Sequence, residues 1–99
     1  MARVTFDPYV IDVLMPDLVG HDRRPAAFLV YLYLLRHSAD HRQRRVCASL
    51  QMIATRTGLS KSSVQNAIRH LQRRQLLDPD LPATTLAPVR RVLCPWLGV

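Results

Sequence analysis

The 99-residue sequence contains no glutamate, a single lysine and only three glycines. So few glycines leave no glycine-rich loop for binding phosphate, and no Gly-x-Ser-x-Gly nucleophile motif is present. The seven carboxylates are all aspartates, and they cluster near the termini and in connecting segments rather than in a pair suited to acid–base catalysis. The sequence therefore predicts a protein that is not an enzyme and has neither a cofactor nor a small-molecule ligand.

Long apolar runs are also absent. The longest covers residues 26–35, well short of the ~20 residues that cross a bilayer. No basic segment precedes an apolar stretch and a cleavage site at the start, so we expect no signal peptide. Apolar residues make up 48% of the chain and are spread along it, which predicts one compact globular domain. We expect a cytoplasmic protein without a membrane partner.

Cysteine is scarce. Cys47 and Cys94 lie in apolar or strand-like surroundings, which favours buried free thiols. The alternative is a metal site that joins Cys47 to His37 and His41, two histidines spaced for one helix face. No paired-cysteine spacing accompanies them, so no metal is predicted.

The positive charge is concentrated in one part of the chain. Thirteen of the 14 basic residues are arginine, and residues 41–74 carry a net charge of +8 with no acid. Residues 1–40 carry −1 and residues 75–99 are neutral, which accounts for the total of +7. A block of one sign repels itself and indicates a polyanionic partner, although a solvated basic surface is the alternative.

Two helices are predicted in the N-terminal half. Asp7-Pro8 is a helix start, and Pro16 is expected to end this helix after about two turns, leaving residues 16–23 as a connector. A second helix begins near Arg24-Pro25 and runs to about Ser38. Its apolar residues nearly encircle it, so it should be buried on more than one side, by the first helix or by a second subunit.

Two further helices are predicted in the basic block. After a short extended segment at residues 45–48, Ser49 caps a helix that Gly58 ends in a left-handed conformation. Ser60 caps the next helix, which runs from Lys61 to about Arg74. Leu76-Leu77 begins an extended stretch, a proline-rich loop covers residues 78–88, and residues 89–94 return as a strand.

The spacing over residues 52–71 has a physical logic. Ala54 is small where a second helix crosses, Gly58 makes the turn, and Leu59 fills the corner between the helices. One apolar face then packs back on the preceding helices: Val64, Ala67, Ile68 and Leu71. Agreement at this many fixed separations is a strong signal.

This segment resembles the helix-turn-helix of bacterial winged-helix regulators and of phage and plasmid replication proteins. The order of elements extends the resemblance over residues 24–95. It implies a mainly α fold with a small β-hairpin, with an N-terminal helical arm at residues 1–23 and a winged helix-turn-helix at residues 24–99. Gln75 stands where the family usually has glycine, so the bend uses either a left-handed non-glycine residue or a longer helix.

The helical wheel places polar residues opposite the apolar face of the last helix. We expect Ser62, Gln65, Asn66 and Arg69 to read bases and Arg73, Arg74 and Arg56 to contact phosphates, with Lys61 at the edge. Arg90 and Arg91 are neighbours in a strand, so only one should face DNA. The predicted DNA-binding residues are Lys61, Ser62, Gln65, Asn66, Arg69, Arg73, Arg74, Arg56, Arg90 and Arg91.

The resulting functional hypothesis is a small transcriptional regulator, a repressor, that inserts helix 61–74 into the major groove of double-stranded DNA. The alternatives are a plasmid or phage replication or partition factor and a winged-helix protein–protein interaction module. A homodimer on a near-palindromic site is expected, since single small modules bind weakly. Its seam would join Phe6, Tyr9, Val10 and Val13 to the exposed side of residues 28–35, unless the first helix instead completes the monomer core.

Overall fold

The computed structural model describes residues 3–38, 44–79 and 89–97. Its described part is mainly helical with a small antiparallel sheet, as predicted. The elements in chain order are an N-terminal arm of two π-helical segments (Val10–Leu14 and Pro16–His21), α1 (Pro25–His37), β1 (Arg45–Cys47), α2 (Leu50–Thr57), α3 (Lys61–Arg73), β2 (Val89–Arg91) and a 3-10 turn (Pro95–Leu97).

The arm begins where the sequence predicts but does not end at Pro16. The backbone N–H of Tyr9 donates to the Asp7 carboxylate at 2.9 Å, which caps the first turn. Met15 keeps helical angles (φ −61°, ψ −55°), and its N–H bonds to the carbonyl of Val10, five residues back. Pro16 is then the first residue of the second segment, where its missing N–H is not needed. The predicted connector at residues 16–23 is therefore largely helical.

Helix α1 lies at the centre of the core. Tyr31 and Leu34 are fully buried in it, and the Tyr31 hydroxyl donates to the carbonyl of Leu93 at 2.8 Å. The arm packs on one side of α1 and α3 on another, so both sides are covered within one chain. The arm contributes three buried side chains to this core: Val10, Leu14 and Leu18.

The predicted dimer seam is accordingly wrong for Val10, and Phe6 and Tyr9 are partly buried against the core of the same chain. Val10 is fully buried, and Tyr9 stacks on Trp96 with the ring centroids 4.7 Å apart. Val13 remains exposed. The arm completes the monomer core, which is the alternative that the sequence left open, because its buried side chains fit against α1 of the same chain.

Helices α2 and α3 have the caps and the turn that the sequence predicts. The hydroxyl of Ser49 accepts from the N–H of Met52 at 3.1 Å, and that of Ser60 accepts from the N–H of Ser63 at 3.1 Å. Gly58 is left-handed (φ +80°), and its N–H bonds to the carbonyl of Ala54 at 2.9 Å. The helix-turn-helix geometry is therefore fixed by local contacts at both helix starts and at the turn.

Gln75 decides between the two alternatives for the end of α3. Its φ is +58°, so a non-glycine residue takes the left-handed conformation and α3 ends at Arg73. The N–H of Leu76 bonds to the carbonyl of Leu71 at 2.8 Å, and the N–H of Gln75 bonds to that of Gln72 at 3.1 Å. These two bonds form the Schellman motif, which satisfies carbonyls at the end of the helix.

The sheet joins the segment before α2 to the C-terminal part of the chain. β1 pairs antiparallel with β2, with Val46 opposite Arg90, and Leu77 forms a single bridge to Val92. The strand predicted at residues 89–94 is thus real but shorter, with one bridge beyond it. Most of the predicted loop, residues 80–88, lies outside the described residues.

The two cysteines differ in exposure. Cys94 is buried as predicted, but Cys47 is exposed, which corrects the prediction of two buried thiols. In β1 only Val46 faces inward, because successive residues of a strand point to opposite faces. His41 of the alternative metal site lies outside the described residues. Among the residues described, no helix has the length and apolar character needed to cross a membrane.

Candidate nucleic-acid interface

Helix α3 presents one polar face to solvent. Its apolar residues Val64, Ala67, Ile68 and Leu71 are buried, as the wheel predicts. The six predicted DNA-binding residues of this helix up to Arg73 are all exposed: Lys61, Ser62, Gln65, Asn66, Arg69 and Arg73. The face carries a lysine, two arginines, two amides and a hydroxyl, and α3 contains no acidic residue.

The spacing along this face suits a contact with several consecutive base pairs. With a rise of about 1.5 Å per residue, Ser62 and Arg73 lie roughly 16 Å apart along the helix axis. Arg56 is exposed in the last turn of α2. These side chains offer hydrogen-bond donors for phosphates and two-pronged groups for base edges.

Arg74 does not belong to this face. Its guanidinium forms ion pairs with Asp17 and Asp22, both in or beside the arm. The hydrogen bond to Asp17, reinforced by the negative charge of both carboxylates, raises the pKa of Arg74. The two carboxylates engage the hydrogen-bond donors of this guanidinium, and a phosphate contact at Arg74 stays a prediction.

Asp22 links the arm to the last turn of α3. Its carboxylate lies 2.7 Å from Nε2 of His70 and 2.9 Å from Nδ1 of His21, and its side chain is only 8% exposed. Burial alone would raise the pKa of Asp22, but the hydrogen bonds from His70 and His21 and the charge of Arg74 lower it to about 2. The sequence analysis missed this cluster because 48 residues separate Asp22 from His70 and nothing local pairs them.

The two arginines of β2 have different surroundings. The Nε of Arg90 donates to the carbonyl of Ala48 at 2.9 Å, and burial lowers the pKa of its guanidinium. Arg91 lies 3.7 Å from Asp78, with 38% of its side chain exposed. Both side chains are half-buried and already have a partner, and a DNA contact at either one stays a prediction.

One arginine that the sequence analysis left out lies beside the interface. Arg24 precedes α1, is exposed, and lines a groove together with Asn66, Arg69 and Arg73 of α3. Its position directly before the Pro25 helix start places it at a helix end but does not connect it to α3. Its distance in sequence from α3 hid the connection.

Comparison with known proteins agrees with this geometry. The family model of the helix-turn-helix domain matches residues 24–77, from the residue before α1 through the bend after α3. No curated protein and no solved structure matches the chain. The matched segment contains α2, the left-handed turn at Gly58 and α3, which together are the helix pair that gives the family its name. This chain belongs to the helix-turn-helix domain family.

Proposed function

We propose that the protein binds double-stranded DNA in a sequence-specific way, as a small transcriptional regulator that represses by placing α3 in the major groove. The observation that carries the proposal is the exposed polar face of α3, which is basic and lacks any carboxylate. Family membership supports it, because the second helix of a DNA-binding helix-turn-helix enters the major groove.

The chemistry of the face supports a division of labour along α3. Asn66 can form two hydrogen bonds with adenine, and Arg69 can do so with guanine. Ser62 and Gln65 lie earlier in the helix, where residues of a recognition helix meet base edges. Arg73, a turn beyond Arg69, and Arg56 on α2 are better placed for phosphates, which position the protein without reading sequence.

The test is to select a preferred duplex from a random pool and to compare it with a scrambled duplex by fluorescence anisotropy. Asn66→Ala or Arg69→Ala should cost about 1–3 kcal/mol on the selected duplex and little on the scrambled one, because base contacts carry the discrimination. Arg73→Ala should weaken binding to both duplexes similarly.

Arg36→Ala is the matched control, since Arg36 is exposed near the C-terminal end of α1 and carries the same charge as Arg69. It should leave the ratio of the two affinities unchanged. If wild-type protein does not bind duplex DNA, the proposed function is wrong. If it binds but Asn66→Ala and Arg69→Ala both keep the wild-type ratio, α3 does not read sequence.

A protein–protein interaction module is the alternative from another class of function. The basic face argues against it, because a helix that docks a protein does not need the cations that bind the phosphates of DNA. A replication or partition factor would use the same interface, so the local chemistry of α3 does not separate it from a regulator.

We also propose that the chain binds DNA as a homodimer, because two half-sites about 34 Å apart compensate for the weak binding of one module. The surface left for a partner lies on the outer side of the arm, where Ile11, Met15 and Val19 are exposed. Analytical ultracentrifugation with the selected duplex should give two chains per duplex, and Met15→Glu should reduce this to one. A single wild-type chain per duplex at saturation would refute the dimer.

A further inference from the structure

A groove beside α3 brings together three arginines from distant parts of the sequence. Its lining is Arg24 before α1, Pro79, and four residues of α3: Asn66, Arg69, Gln72 and Arg73. Among the residues that the structure describes, no carboxylate lines this groove and none forms an ion pair with its arginines. Three arginines and two amide residues therefore line one groove, and its described lining contains no acid.

Arg24 is held in place by its backbone rather than by its side chain. Its N–H donates to the carbonyl of Leu18 in the arm at 2.8 Å, and its carbonyl accepts from the N–H of Ala27 in α1 at 3.0 Å. The side chain makes no capping hydrogen bond to α1 and is exposed. The fold thus fixes where Arg24 leaves the backbone and keeps its guanidinium available at the groove.

The C-terminal end of α3 has a different charge balance on the side away from the groove. There Asp17 and Asp22 neutralise Arg74, the residue directly after α3. The fold therefore uses the acids of the arm to neutralise one side of the end of α3, while Arg24 adds a cation on the side that continues the exposed face. An anion bound in the groove would relieve the mutual repulsion of these cations.

We propose that Arg24, together with Arg73, is a phosphate clamp that holds one phosphodiester of the DNA backbone beside the bases that α3 contacts. Guanidinium groups bind phosphate oxygens through two parallel N–H bonds, and amides such as Gln72 add a further donor. This inference rests on the proposed function, because the duplex held by α3 brings the phosphate to the groove. It assigns to Arg24 a role in positioning the duplex that does not depend on the DNA sequence.

The experiment measures affinity for the selected and scrambled duplexes over a range of salt concentrations, for wild type, Arg24→Ala and the control Arg36→Ala. Arg36 lies 12 residues further along α1, about 18 Å from Arg24 along the helix axis. Arg24→Ala should weaken binding to both duplexes by roughly tenfold. It should also flatten the log–log salt slope by about one unit relative to Arg36→Ala.

Ethylation interference on the selected duplex supplies a second measurement that a general loss of affinity would not change. Wild type and Arg36→Ala should share one interfering phosphate that Arg24→Ala no longer requires. Circular dichroism checks the fold of each variant, and Arg24→Gln, which keeps a long polar side chain, replaces Arg24→Ala if the latter unfolds.

Two failures are distinguishable in this design. Wild-type protein that does not bind duplex DNA overturns the proposed function. Wild-type protein that binds, while both Arg24 variants match Arg36→Ala in affinity, salt slope and phosphate interference, overturns the clamp alone.

Discussion

Three described residues that follow a helix adopt the left-handed backbone conformation, and two of them are not glycine: Arg23 after the second arm segment and Gln75 after α3. Gly58 (φ +80°) ends α2 at no steric cost, whereas Gln75 (φ +58°) ends α3 with a side chain that disfavours this conformation. The buried side chains of Leu71 and Leu76 and the two Schellman hydrogen bonds hold Gln75 in place. The surrounding contacts therefore stabilise the bend, because the intrinsic backbone preference of Gln75 does not favour it.

Gln75→Gly should stabilise the protein by about 0.5–1 kcal/mol. Removing the side chain relieves the left-handed strain of about 1–2 kcal/mol, and the greater freedom of glycine in the unfolded chain offsets part of this gain. Thermal or urea unfolding measures the change. Gln72→Gly is the matched control inside α3, where it should destabilise the fold by about 1 kcal/mol. A lower melting temperature for Gln75→Gly would contradict this account of the bend.

At the residue scale, the sequence predicts features whose cause is local. Ser49, Ser60 and Gly58 are identified correctly because a cap or a left-handed turn depends on the residue itself and on its neighbours within four positions. Arg74 shows the limit of prediction from local sequence. Its place on the wheel is close to the basic face, but its direction is decided by Asp17 and Asp22, more than 50 residues earlier in the chain.

At the scale of elements, the arm does more than cover α1. Asp22, which directly follows the second arm segment, holds His70 and Arg74 at the end of α3. The same arm buries Val10, Leu14 and Leu18 in the core. The proposed recognition helix is thus tied to the arm through the ion pairs at its end, while the apolar side chains of the arm pack on α1.

Asp22→Asn should destabilise the protein at neutral pH by about 1–2 kcal/mol, because it removes the charge that holds Arg74. The pKa of Asp22 is lowered from 3.8 to about 2 in the folded protein. The stabilisation is therefore fully present above about pH 4 and is lost as the pH falls through 2. Urea unfolding between pH 7 and pH 2 measures it, and the wild-type and variant curves should converge at the acidic end.

Asp12→Asn is the control for that change, since Asp12 is exposed on the arm and loses the same charge. It should leave the free energy of unfolding nearly unchanged at neutral pH. Equal stability of Asp22→Asn and Asp12→Asn at pH 7 would mean that the cluster at Asp22 does not stabilise the contact between the arm and α3.

A sequence pattern predicts the bounds of single helices better than contacts between distant elements. The bounds of α1, α2 and α3 follow from apolar periodicity and caps, which act within one helix. The arm departs from the prediction at Pro16, because Met15 keeps helical angles and Pro16 begins the second segment, where its missing N–H is not needed. The pairing of β1 with β2 was also not predicted, since 42 to 46 residues separate the paired positions.

At the scale of the whole molecule, charge is segregated along the chain and in space. Residues 1–40 have a net charge of −1 and residues 41–74 have +8. Two of the acids in the first segment are used inside the fold at Arg74. The cations that the structure leaves exposed on and beside the proposed interface are Arg24, Arg56, Lys61, Arg69 and Arg73.

This distribution predicts a steep dependence of DNA binding on salt. If three to five of these cations neutralise phosphates, the slope of log affinity against log salt should lie between about −2.7 and −4.5 for each bound chain, because each neutralised phosphate contributes about −0.9. Anisotropy titrations of a scrambled duplex between 50 and roughly 300 mM salt measure the slope without any contribution from base reading.

Changes of the salt slope in single variants also show which cations contact phosphates. Arg56→Ala and Lys61→Ala, on α2 and at the start of α3, should each flatten it by up to one unit, because each removes at most one phosphate contact. Arg3→Ala, which removes an equal charge from an exposed residue at the start of the arm, should change it little. A wild-type slope near zero would contradict the electrostatic interface altogether. A steep slope that all three variants leave equally unchanged would move the contact surface away from α2 and α3, to arginines that this account does not assign to DNA.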